Sequence, residues 1–158
     1  DFTKQIRFNT TTTGAAYDLG NMVFSVCNVE AGRSSFIGAR GNNHSWFGVP
    51  YLGNFMFRDN VSGSNDNVYN TGVAVTLDTQ QLLTFDNTAP NEIKGYKDGS
   101  LIYTVDNGSI DEYFRFEDFG AGYQTNENNM KVQELIFFPY TSTNRSLIED
   151  NMLAYHGI

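Results

Sequence analysis

Apolar and polar residues alternate along most of the chain, in short runs separated by Gly, Asn and Ser. A period of two sends successive side chains to opposite faces of a strand, so each run predicts a strand with one apolar face. Residues 2–8 set Phe2, Ile6 and Phe8 against Thr3, Gln5 and Arg7. Residues 21–29 are apolar at most positions, the pattern of a strand near the middle of a sheet. Residues 34–40 and 54–58 are short and alternating. Val73, Val75 and Leu77 oppose Ala74, Thr76 and Asp78, and a further run, 81–86, follows at once. Within 113–119, Phe114 and Phe116 oppose Tyr113, Arg115 and Glu117.

Residues 93–105 form two alternating runs around Lys97-Asp98-Gly99-Ser100. An Asp-Gly pair takes the positive φ angles of a tight hairpin, which places the turn there. Residues 131–138 break the alternation: Val132, Leu135, Ile136, Phe137 and Phe138 predict a strand covered on both faces. The cover is expected from the one good helical pattern, residues 142–155, where Leu147, Ile148, Met152 and Tyr155 recur at helical spacing. Thr141 or Ser142 is suited to cap its start, and Gly157 follows its end. About ten or eleven strands and one terminal helix predict an all-β fold, two antiparallel sheets in a jelly-roll sandwich with a C-terminal helix. No repeat or linker divides the chain, so residues 1–158 are read as one domain. The start at Asp1 rather than Met suggests a piece of a longer chain.

Composition narrows the partners. The chain has 158 residues, 18 acids against 10 bases and a net charge of −8. Its bases are scattered singly, which leaves no stripe for a nucleic-acid backbone or an anionic membrane to follow. No run approaches the roughly 18 apolar residues of a membrane-spanning helix. The single Cys27 forms no internal disulfide, and its apolar setting reads as core packing.

The second half carries a resemblance. Tyr96-Lys97-Asp98-Gly99, a Phe-rich strand, and Val132-Gln133-Glu134-Leu135-Ile136-Phe137-Phe138 follow one another. A helix with Arg145, Ile148, Glu149 and Met152 then leads to Tyr155-His156-Gly157-Ile158. This order resembles the concanavalin A-like, laminin-G-like jelly-roll domains of bacterial and bacteriophage type, over roughly residues 72–158, with Asp98 where Asn is usual and Met152 where Leu is common. The resemblance implies a module of a secreted, cell-surface or virion protein that binds glycans or serves adhesion, sometimes with calcium. It also implies a structural role for Glu134.

Chemistry is sparse. The related glucanases carry acids at i, i+2 and i+4 on one strand, and here no Asp or Glu has another acid two or four residues later. Of two histidines, His156 reads as a helix-end residue favoured by the dipole, and His44 lacks zinc-ligand spacing. Glu134 reads as a hydrogen-bonded structural carboxylate.

Sugar recognition needs an aromatic plate and a few placed polar groups, and three segments read as loops with that chemistry. Residues 41–51 hold Asn43, His44, Trp46 and Tyr51; residues 59–69 hold Asp59, Asp66 and Tyr69; residues 120–129 hold Tyr123 and Asn126. The middle segment is also dense in oxygen ligands, making Asp59 and Asp66 the candidate calcium ligands, against the plainer reading of a turn. The leading expectation is a non-catalytic, surface-displayed module, on a phage virion or a bacterial surface, that presents rim loops to glycan. The alternatives are a structural virion domain that contacts neighbouring proteins or its own copies, and a glycan-cleaving enzyme with acids on different strands.

Overall fold

The computed structural model describes residues 6–7, 21–30, 37–38, 46–47, 54–59, 67–89, 92–106, 118–119, 130–139 and 144–158. Among these the order is β1 (Ile6–Arg7), β2 (Asn21–Val29), β3 (Ile37–Gly38), β4 (Trp46–Phe47), β5 (Asn54–Asp59) and β6 (Asn67–Ala74). Then come β7 (Gln80–Ala89), β8 (Glu92–Lys97), β9 (Ser100–Asp106), β10 (Asp118–Phe119), β11 (Met130–Pro139) and the helix α1 (Arg145–His156). The all-β class with one C-terminal helix is therefore as the alternation implies. Two compact units emerge, one built around each of two sheets.

The first sheet runs β1-β10-β3-β4-β5-β6, antiparallel at every step. Phe55 is fully buried, whereas Asn70 on the neighbouring strand is exposed. Between β5 and β6 the register slips from Asn54↔Ala74 to Met56↔Asn70, so three residues of β6 bulge opposite Phe55. Side chains satisfy the displaced backbone. The Thr71 hydroxyl donates to the Phe55 carbonyl at 2.9 Å and accepts from Val73 N–H at 3.0 Å. Asn70 Oδ1 accepts from Gly72 N–H at 2.8 Å.

The second sheet runs β11-β2-β7-β8-β9. Register pairs Phe24 with Thr84 and Val26 with Leu82 on one face, and Val23 with Phe85 and Ser25 with Leu83 on the other. All eight are fully buried, which explains why β2 reads as nearly continuous apolar sequence. Helix α1 covers the first of these faces: Met152 joins Met22, Phe24, Val26 and Leu82, with Ile136, Phe138, Ile148 and Leu153 packed around them. Phe24 and Phe138 meet edge to face, their centroids 6.4 Å apart.

The β8–β9 hairpin turns through Asp98 (φ 48°) and Gly99 (φ 76°), the two positive angles that a two-residue loop demands. Asp98 also ties the turn to the middle of the sheet. Its N–H donates to the Leu82 carbonyl and its Oδ1 accepts from the Leu82 N–H, each at 2.8 Å. The helix lies over this corner: a methyl on Gly99 would come within 3.8 Å of Leu153 and 3.9 Å of Glu149. Glu149 is almost wholly buried and paired with Arg145 one turn earlier, while the Arg145 guanidinium sits 3.6 Å above the Tyr96 ring. The helix closes on Gly157 in the left-handed region, whose N–H and that of Ile158 both reach the Leu153 carbonyl.

Three expectations need correction. The strand expected at 73–78 begins at Asn67 and its ladder ends at Ala74, where the bulge has spent the pairing. Burial still alternates beyond it, with Val73 and Val75 half-buried and Ala74 and Thr76 exposed, but Leu77 is exposed. The helix starts at Arg145 rather than 142. Its N-cap is Asn144, whose Oδ1 accepts from the Ser146 hydroxyl instead of a backbone N–H. Thr141 and Ser142 lie outside the described residues. Finally, β11 is an edge strand, so Phe137 remains exposed, and β2 and β7 are the strands covered on both faces.

Removing Arg145 leaves a buried carboxylate without its counter-charge. Arg145→Ala is expected to cost about 3 kcal/mol in urea unfolding, and the added change Glu149→Leu to recover most of it. Gly99→Ala has room for its methyl, so its expected cost of about 1 kcal/mol comes from the backbone angle alone; an Asn at the same position should unfold at a midpoint closer to that of wild type.

Candidate functional site

Register in the first sheet assembles residues that are far apart in sequence. The pairings Ile6↔Phe119, Phe119↔Ile37, Ile37↔Phe47, Phe47↔Phe57 and Phe57↔Tyr69 make one row across all six strands. Every member is apolar or aromatic. On β5 the fully buried Phe55 stands two residues before Phe57. The adjacent row is Arg7, Asp118, Gly38, Trp46, Arg58 and Val68, joined by the same ladders.

This second row is the candidate site. It places Trp46, the single tryptophan of the chain, between Gly38 on one neighbouring strand and Arg58 on the other. Arg7 and Asp118 are register partners at the far end of the row.

The sequence-predicted site residues are dispersed by this arrangement. Trp46 and Tyr69 both belong to strands, β4 and β6, and not to loops. They occupy adjacent register rows, Trp46 opposite Arg58 and Tyr69 opposite Phe57. Asp59 ends β5 and pairs in register with Asn67. Asn43, His44, Tyr51, Asp66, Tyr123 and Asn126 lie outside the described residues. Among the described residues no three His, Cys, Asp or Glu side chains cluster as metal ligands. The register that brings Gly38, Arg58 and Asp118 into the row of Trp46 was not legible in the sequence, because it exists only through pairing between distant strands.

Other reactive groups serve the fold. Glu134 Oε2 lies 2.8 Å from His156 Nε2, so a strand carboxylate and the last helical residue hold each other. Gln80 donates to the His156 carbonyl at 3.2 Å, satisfying one of the helix's terminal acceptors. Cys27 is fully buried. Burial pushes its thiol up to about 12 from 9.0; a hydrogen bond with Ser25 pulls the other way and the Asp98 carboxylate adds a smaller upward push.

No protein-family model matches the chain, and no curated protein does. Solved structures do share its fold. The botulinum neurotoxin serotype D binding domain superposes with a TM-score of 0.66 at 13% identity, over 94% of this chain and 40% of that one. The binding domain of botulinum neurotoxin DC, solved in complex with rat synaptotagmin II, gives 0.66 at 11% identity over 94% and 40%. A botulinum neurotoxin type C structure, whose cell entry is described as dependent on two ganglioside molecules, gives 0.59 at 13% identity over 87% and 36%. The chain spans about two fifths of the length of these structures or less, and the likeness places it in their β-sandwich fold class.

The native chain should be inert to iodoacetamide at about pH 8, with Cys27 modified only at the rate of global unfolding. The unfolded thiol ionises near 9.0 and the native thiol near 12, so the native state holds the proton longer. Its stabilising contribution is therefore whole below pH 9 and declines as pH rises toward 12, a loss that Cys27→Ala should abolish in pH-dependent unfolding measurements.

Proposed function

We propose that the chain is a non-catalytic, surface-displayed binding module that recognises glycan, folded as one concanavalin A-like sandwich domain within a longer extracellular or virion protein. The observation that carries this reading is the register of the first sheet, which sets Trp46 beside Arg58 on neighbouring strands. A tryptophan ring offers a flat apolar plate on which a sugar ring can stack. The fold neighbours support the reading, since their printed descriptions are of binding domains, one with a protein partner and one with gangliosides. Catalysis gains no support from the groups described, because the Glu134–His156 pair braces the helix and Cys27 is sealed in the core. Individual contacts on an open face are weak, and display of many copies would supply avidity.

A protein-contact role draws on one specific feature, the outer side of α1, where Leu147 is 56% and Tyr155 84% exposed. That surface suits docking to neighbouring structural proteins or to copies of the chain in an assembly.

Wild-type chain displayed multivalently on a glycan array should give saccharide-selective signal that falls at least tenfold in Trp46→Ala. Incubation with the bound polysaccharide should release no reducing ends. A silent array, or turnover of the polysaccharide, would overturn the reading.

A further inference from the structure

We propose that the C-terminal end of α1 is a second saccharide site, in which the Tyr155 ring is the stacking plate and the Glu134 carboxylate accepts from sugar hydroxyls, and that its ligand is a neutral saccharide. This rests on the glycan reading and gives it a site on the helix that covers the second sheet.

Tyr155 is 84% exposed, more than any other large apolar or aromatic side chain among the described residues. Its ring nevertheless has a fixed neighbour. It meets the His156 imidazole edge to face, with centroids 5.0 Å apart and planes at 84°. His156 is held in turn from the sheet: its Nε2 lies 2.8 Å from Glu134 Oε2, and its carbonyl accepts from Gln80 at 3.2 Å. A plate braced in this way gives up less freedom when a ligand settles on it, and a weak stacking contact then yields more affinity. Glu134 touches His156 through Oε2 alone and its side chain is 38% exposed, so the carboxylate keeps lone pairs for hydroxyl protons. Asn151, exposed one turn before Tyr155, adds an amide that both donates and accepts.

The size of the apolar surface favours a sugar over a protein partner. Leu147, the other large exposed apolar side chain of the helix, stands eight residues before Tyr155, about 12 Å along the axis, with exposed Asn151 between them. Within one turn of Tyr155 along the chain, the exposed apolar side chains are Ala154 and Ile158 alone. One ring with a carboxylate and an amide beside it matches the C–H face and the hydroxyls of a sugar, whereas the core of a protein interface needs a broader apolar area. Charge narrows the ligand further. Glu134 is an acid, and the whole chain carries −8. A uronic or sialic acid would set one carboxylate beside another, so the site selects neutral sugars. The plain alternative is that Tyr155 only finishes the helix by packing on His156. The two differ in what a saccharide does to Tyr155.

The full chain is labelled with 3-fluorotyrosine, and the fluorine line of Tyr155, one of nine tyrosines, is assigned by its loss in Tyr155→Phe. Maltotriose, cellotriose and triacetylchitotriose serve as neutral probes, trigalacturonate and 3′-sialyllactose as acidic ones. At least one neutral probe should shift that line, and each acidic probe should bind at least tenfold more weakly. In saturation-transfer titrations Tyr155→Ala should lower neutral affinity at least tenfold, and Tyr155→Phe should keep it within threefold. Both variants should unfold at the wild-type midpoint, because the side chain lies in water. Glu134→Gln, whose amide can still bond His156, should weaken neutral binding and narrow the acidic penalty to within threefold. A fluorine line indifferent to every probe, neutral affinity unchanged in Tyr155→Ala, or acidic probes that bind as tightly as neutral ones would overturn the proposal. A line that moves with protein concentration and not with sugar would overturn it in favour of contact between copies. Array signal unchanged by Tyr155→Ala would overturn this site and leave the glycan reading standing. Silence of the wild-type array would overturn that reading itself.

Discussion

Strand register is the constraint on which the first sheet depends. Its strands β1, β3, β4 and β10 are only two residues each, so neither their length nor their own hydrogen bonds specify a pairing. What specifies it is the cost of error. Sliding any one of them by a residue would break the in-register line of Ile6, Phe119, Ile37, Phe47, Phe57 and Tyr69, one apolar or aromatic residue from each strand. Moving a single large apolar side chain into water costs roughly 1.5–3 kcal/mol, and burying an unpaired charge costs more. Six apolar positions in line make the penalty collective. The same condition that holds the sheet together therefore also gathers the candidate binding row.

The second sheet solves a different problem. Its two central strands are buried on both faces, and one of those faces belongs to a helix whose sequence is largely polar. Helix α1 contributes Met152 to the buried cluster, with Ile148 and Leu153 beside it, and reinforces this small apolar contact through its ends. Near its start, Glu149 is buried with Arg145 folded over it and over Tyr96; at its finish, His156 meets Glu134 and Gln80. Asp98 completes the arrangement from below by bonding both backbone groups of Leu82. Polar groups here set position, and the apolar cluster supplies the attraction.

These differences decide what could be read from the chain. Local features were legible: the Asp98–Gly99 turn, β2 and the hairpin that follows β7 all announce themselves within a few residues. Glu134 and His156 were each legible as structural, because neither has a catalytic partner nearby in sequence, although their mutual bond was not. Segments 41–51 and 59–69 misled for a common reason. Asn, Ser and Gly dominate them, and the β-forming pairs Trp46-Phe47 and Val68-Tyr69 are too short to show a period. Tertiary pairing supplied what local pattern lacked. The row of Trp46 was out of reach altogether, since its pairing with Arg58 and that of Phe47 with Phe57 belong to one ladder between strands distant in the local pattern.

That last dependence has a consequence for how such a surface changes over time. A loop-borne site alters its ligand by replacing loop residues at little cost to the fold, because loops carry few of the contacts that hold the core. Residues on paired strands share one ladder, so Gly38, Trp46 and Arg58 are free to vary only in ways that leave Ile37, Phe47 and Phe57 in register. Side-chain chemistry along such a ladder remains open, whereas the spacing between strands does not, since backbone pairing fixes it at about 4.8 Å.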